Sequence, residues 1–126
     1  MLKTLLFIAV GGALGAVLRF LTQVTVYEIA GRSFPYGTLT VNVLGSFLMG
    51  LLSIFLVEKF NLSTEWHMAI LVGVLGSFTT FSTFSIETLV LFEQGDLFKA
   101  MTNILLSVTL CIGSVWVGAY LAKQIV

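Results

Sequence analysis

Ten consecutive residues, Gly76-Ser77-Phe78-Thr79-Thr80-Phe81-Ser82-Thr83-Phe84-Ser85, carry six hydroxyl side chains in the middle of an apolar stretch that runs from Trp66 to Phe92. Glycine and β-branched threonine weaken a helix locally, and nearby hydroxyls or a bound ion satisfy the amides and carbonyls so released. The run therefore predicts a helix broken near its middle. In a bilayer such a break is tolerated only where it is buried in protein or lines a cavity, and freed carbonyls are good ligands for a hard cation.

Phe81 and Phe84 stand three apart on one helix face, and Phe78 extends that stripe by a turn. Most phenylalanine stripes are packing. Here they alternate with Ser82, Thr83 and Ser85, so hydroxyl donors and electropositive ring edges fall in one segment. That combination suits a small anion, held without an opposing full charge whose grip would slow release.

Other intramembrane polar residues are few, and each is costly unless it finds a partner or a wet path. Thr38, Asn42 and Ser46 share one face at i,i+4 spacing; the Asn42 amide, with two donors and an acceptor, is the strongest of the three. Asn103, Ser107 and Cys111 form a similar row near the C-terminus. Arg19 and Glu87 are the deepest charges; the functional expectation is that Arg19 attracts anions into a vestibule and that Glu87 lines a pore, against interfacial snorkelling. Trp66, His67, Tyr27, Tyr36 and Tyr120 read as interfacial anchors.

The elements that must position these residues follow from composition. The chain has 126 residues, 58% hydrophobic and 10% charged, far from the balance of a soluble domain. Four apolar stretches, Leu2 to about Ile29, Tyr36 to Val57, Trp66 to Phe92 and Ala100 to Ala122, each reach the roughly 20 residues needed to span the hydrocarbon. The expected fold is an all-α integral membrane protein: a single domain over residues 1–126 with four transmembrane helices, the third broken. The first stretch is read as a span and not as a cleaved signal peptide, because its hydrophobicity continues through Val17, Leu18, Phe20 and Leu21. Net charge is zero, which gives no footprint for nucleic acid. Cys111 is the only cysteine, so no intrachain disulfide forms. Small residues at four-residue spacing, Gly11 with Gly15 and Gly45 near Ser46 and Gly50, predict close helix packing, as do Gly73 with Ser77 and Gly113 near Ser114 and Gly118.

Loop charges hardly discriminate an inside. Lys3, Lys59 and Lys123 face one side, Arg32 and Lys99 the other. So weak a bias predicts insertion both ways up and an antiparallel homodimer about an axis in the membrane plane.

At the third-crossing run and Asn42 the sequence resembles the Fluc/CrcB family of bacterial fluoride channels, and the likeness covers the whole chain. It rests on Gly11, Gly15 and Arg19, on Gly37-Thr38-Leu39-Thr40-Val41-Asn42-Val43-Leu44-Gly45-Ser46, and on Gly76 with Thr79-Thr80-Phe81-Ser82-Thr83-Phe84. The resemblance implies a dual-topology homodimer in the bacterial plasma membrane, with two fluoride pores built from both subunits. Position by position, it implies that Phe81 and Phe84 form an aromatic box, that Asn42 contacts it, and that Ser82, Thr83, Thr38 and Ser107 supply hydroxyls. It also implies that the carbonyls of Gly76 and Thr79 hold a structural sodium ion at the dimer axis. Asn103 and Cys111 depart from the family's pattern on the fourth crossing.

Two other classes compete. A small proton-coupled multidrug exporter also fits four spans, but needs a deep carboxylate, and the first crossing has none between Leu2 and Gln23. A membrane subunit that only packs against partners leaves the hydroxyl-rich run without a purpose. No nucleophile and base pair, ligand cluster or nucleotide loop points to an enzyme.

Overall fold

Backbone groups in lipid must bond to one another, and the four apolar stretches do so as helices. The computed structural model describes all 126 residues and contains four helical spans, Leu2–Ala30, Tyr36–Lys59, Thr64–Glu93 and Leu97–Ile125. We label them α1 (Leu2–Ala30), α2 (Tyr36–Lys59), α3 and α4 (64–78 and Phe81–Glu93, the halves of the third span) and α5 (Leu97–Ile125). At 29 residues, α1 is about 43 Å long and exceeds the hydrocarbon thickness. It stops at Gly31, whose φ of 81° a side chain would disfavour, and Pro35 then leads into α2.

The third span is not one helix. Within α3, residues Met68–Leu75 are wound as a π-helix, and α3 gives way after Phe78 to two extended residues, Thr79 (ψ 158°) and Thr80 (ψ 112°), before α4 begins. The expected interruption therefore falls at Thr79 and Thr80. One expectation fails as a consequence: Phe78 does not extend the Phe81 and Phe84 stripe, because the helical register is lost between them. The Phe78 ring packs instead beside Gly45 of α2.

The bundle pairs α1 with α3 and α2 with α5, while α4 leans on α5. Glycine makes the first two approaches feasible. A Cβ at Gly11 would collide with the Ala69 carbonyl and one at Gly15 with that of Val74; between α2 and α5, Gly50 meets the Val115 carbonyl and Gly118 that of Phe47. Gly113, by contrast, touches nothing within 4 Å. Large apolar side chains along every span face outward, as lipid requires, and the buried polar side chains are Thr38, Thr80, Thr88, Asn103 and Ser107. All five come from α2, α5 and the third span.

Candidate ion pathway

Breaking a helix frees backbone groups, and here each has a traceable fate. The Thr80 N–H, which would ordinarily bond the Gly76 carbonyl, donates to Asn42 Oδ1 (2.7 Å), and Asn42 Nδ2 donates to the Thr80 carbonyl (3.0 Å). Asn42 thus replaces a turn of helix, and the Gly76 carbonyl is left without its helical donor. Thr80 Oγ1 then caps α4 by accepting the Thr83 N–H (3.1 Å), while its own proton goes to Thr83 Oγ1 (2.9 Å). The Ser82 hydroxyl lies 3.4 Å from Thr80 Oγ1. Gly45 makes room for the break, since a Cβ there would strike the Thr79 methyl.

Below the break, a cleft of about 430 Å³ opens between α2, α4 and α5, lined by Asn42, Ser46, Thr79, Thr80, Phe81, Phe84, Ser107 and Cys111 among others. The Phe81 and Phe84 rings lie 5.3 Å apart, tilted by 50°. Their environments differ sharply: Phe84 is 8% exposed and Phe81 76%. Ser82 and Thr83 do not line the cleft; both belong to the hydroxyl cluster that caps α4. Behind Phe84 a polar chain enters α5: Ser107 Oγ donates to Asn103 Oδ1 (3.4 Å), Asn103 Nδ2 to Thr88 Oγ1 (2.9 Å), and Thr88 Oγ1 to the Phe84 carbonyl (2.7 Å). Of the row Asn103, Ser107 and Cys111 on the fourth crossing, Ser107 and Cys111 line the cleft, and Asn103 is buried behind them, bonded to Ser107 and Thr88.

Thr38 and Glu87 meet further along. Thr38 Oγ1 donates to Glu87 Oε1 (3.0 Å) and accepts from Gln23 Nε2 (3.1 Å), and the Tyr27 hydroxyl donates to the same carboxylate oxygen (3.2 Å). Tyr27 is thus turned inward and does not serve as a belt residue. Arg19 is turned inward too, with Nη1 3.5 Å from the Thr79 carbonyl.

Asn42 and the aromatic pair are legible in the sequence as site residues; Thr80, Thr88, Tyr27 and Gln23 are not legible as their partners. A threonine directly before an apolar helical run is an N-cap candidate, and Thr80 before Phe81 fits that signal. Nothing local distinguishes Thr88, whose role depends on Asn103 arriving from another span.

Four spans, the third one broken, and a cleft at the break that gathers hydroxyl, amide and aromatic side chains define a small polytopic membrane protein. The chain belongs to the CrcB family: the model for CrcB-like protein, Camphor Resistance (CrcB), matches residues 6–119. It is 56% identical over 122 residues to the fluoride-specific ion channel FluC of Methylococcus capsulatus, covering 97% of this chain and 54% of that protein, so it spans about half the length of that relative. Against the fluoride-specific ion channel FluC of Geobacter sulfurreducens it is 48% identical over 124 residues, 98% of this chain and 100% of the relative. The Vibrio vulnificus protein of the same name is 52% identical over 119 residues, 94% of each chain.

Proposed function

We propose that the chain is a passive, fluoride-selective channel of the bacterial inner membrane, where its four spans make it a multi-pass protein. The observation that carries this reading is the cleft at the break, where Asn42, Ser107 and the Phe81 and Phe84 rings converge. Asn42 spends one amide proton on the Thr80 carbonyl and keeps the second. The first amides of α4, at Phe81 and Ser82, have no acceptor within their own helix, and the positive end of the helix dipole lies there. Ring edges add further positive potential. Fluoride, small and tightly hydrated, exchanges its shell for such donors; a larger halide fits them poorly. The exporter reading is not favoured, since the relatives carry a channel's name and Glu87, the deepest carboxylate, is already engaged by two hydroxyls.

The working unit in this reading is an antiparallel homodimer with two pores. Its support is the contrast between the rings: Phe84 is covered by its own chain, while Phe81 presents most of its surface beside the cleft, where a second copy would complete the wall. Gly76 is exposed as well. Its carbonyl has lost the Thr80 N–H to Asn42, and the Thr79 carbonyl, freed at the break, gives one lone pair to Arg19 Nη1 at 3.5 Å and has a second, so the two would supply oxygen ligands to a structural sodium ion shared between two copies. The ion would hold the interface together and is not the transported species.

Fluoride release from liposomes that contain the purified protein tests the reading. Rapid fluoride release with chloride retained is expected; equal release of both, or of neither, contradicts it.

A further inference from the structure

A second cavity, about 460 Å³, opens at the end of the bundle that carries the α1–α2 and α4–α5 connections. Arg32, Lys99, Asp96, Tyr27 and Glu87 lie on its wall, and their charges are not equivalent. Lys99 Nζ is 3.8 Å from Asp96 Oδ2, so a carboxylate offsets much of its field. Glu87 accepts hydroxyl protons from Tyr27 and Thr38. Arg32 forms no ion pair. Its guanidinium lies over the Tyr27 ring, 5.0 Å from the centroid.

That ring is held on two further sides. A Cβ at Gly37 would come within 2.6 Å of Tyr27 Cε2, so glycine alone seats the ring there, and the Tyr27 hydroxyl is bonded to Glu87. A cation–π contact positions a guanidinium without neutralising it. Arg32 is therefore a positive charge without an ion-pair partner, seated against Tyr27 at the mouth of the cavity. Arg19, which the sequence suggested for that duty, is instead placed against the Thr79 carbonyl.

We propose that Arg32 is the anion-collecting residue of this mouth: it raises the local concentration of small anions before they reach Thr38. The inference rests on the channel reading. Charges focused by low-dielectric walls change entry rates, and the effect fades as salt screens it, with a Debye length of about 30 Å at 0.01 M and about 3 Å at 1 M.

The test compares wild type, Arg32→Gln and Arg32→Lys in liposomes at subsaturating fluoride, with ionic strength set by an impermeant salt. At about 0.01 M, Arg32→Gln should release fluoride roughly two- to fivefold more slowly, with Arg32→Lys near wild type. At about 1 M and at saturating fluoride the three should converge, a convergence that a merely structural lesion would not show. Arg32→Gln matching wild type at low salt, or slowed equally at both salts, overturns the inference alone. A wild type that passes no fluoride overturns the channel reading and this inference with it.

Discussion

The Asn42 carboxamide forms a two-bond pair with the Thr80 peptide, accepting its N–H at 2.7 Å and donating to its carbonyl at 3.0 Å. One side chain from the second span thereby takes the place of the helical bonds that the third span gives up. Asn42→Ala leaves both groups without a partner in a low-dielectric setting, at a cost of about 1–3 kcal/mol each. We expect a clear fall in thermal stability and loss of fluoride flux. Asn42→Asp keeps the acceptor, loses the donor and sets a negative charge beside the cleft, so flux should fall even where the protein still purifies intact. Calorimetry alongside liposome flux checks both variants.

Thr80 caps α4 through its hydroxyl, and its removal should act on the start of that helix. Thr80→Val is expected to cost about 1 kcal/mol, and Thr80→Ser, which retains the oxygen, much less. Melting curves of the two variants in detergent distinguish loss of the cap from loss of bulk, since serine is the smaller residue.

Glycines separate into those that backbones lean on and those that none approaches. A Cβ at Gly118 would collide with the Phe47 carbonyl, whereas Gly113 has nothing within 4 Å. Gly118→Leu should therefore prevent α2 and α5 from packing and abolish recovery of folded protein. Gly113→Ala should leave the chain's own packing intact, as measured by yield and elution volume in size exclusion.

Much of this architecture was legible in the sequence because lipid restricts the options. Apolar length located all four spans, whose observed ends lie within about three residues of the expected ones. The break was legible for a related reason: six hydroxyls in mid-span are costly in lipid unless they serve a backbone that has left the helix. Less visible were relationships that depend on how the spans rotate. Asn42 read as a contact to an aromatic box, and it is bonded to the Thr80 backbone, a pairing that only the close approach of α2 to the break creates. Tyr27 resembled any interfacial tyrosine until Gly37 let its ring lie flat against α2 and its hydroxyl reach Glu87. Phe78 falls outside the Phe81 and Phe84 stripe because the helical period does not continue across Thr79 and Thr80.

The carbonyls of Gly76 and Thr79 give a prediction that does not depend on conduction. Protein extracted and purified with a large organic cation in place of sodium should show a lower melting temperature and a larger monomer fraction than protein kept in sodium throughout. Restoring sodium before the dimer dissociates should protect it. Identical melting and identical association in both preparations would remove the ion from the account.

The central claim is that fluoride passes the cleft at the break and meets both rings. Parallel fluoride and chloride release from the same liposomes, for wild type, Phe81→Ile and Phe84→Ile, tests it most directly. Wild type should release fluoride rapidly while retaining chloride, and each variant should slow fluoride release sharply with an unchanged elution volume in size exclusion. Undiminished fluoride release in both variants, or chloride release matching that of fluoride in the wild type, would contradict the account.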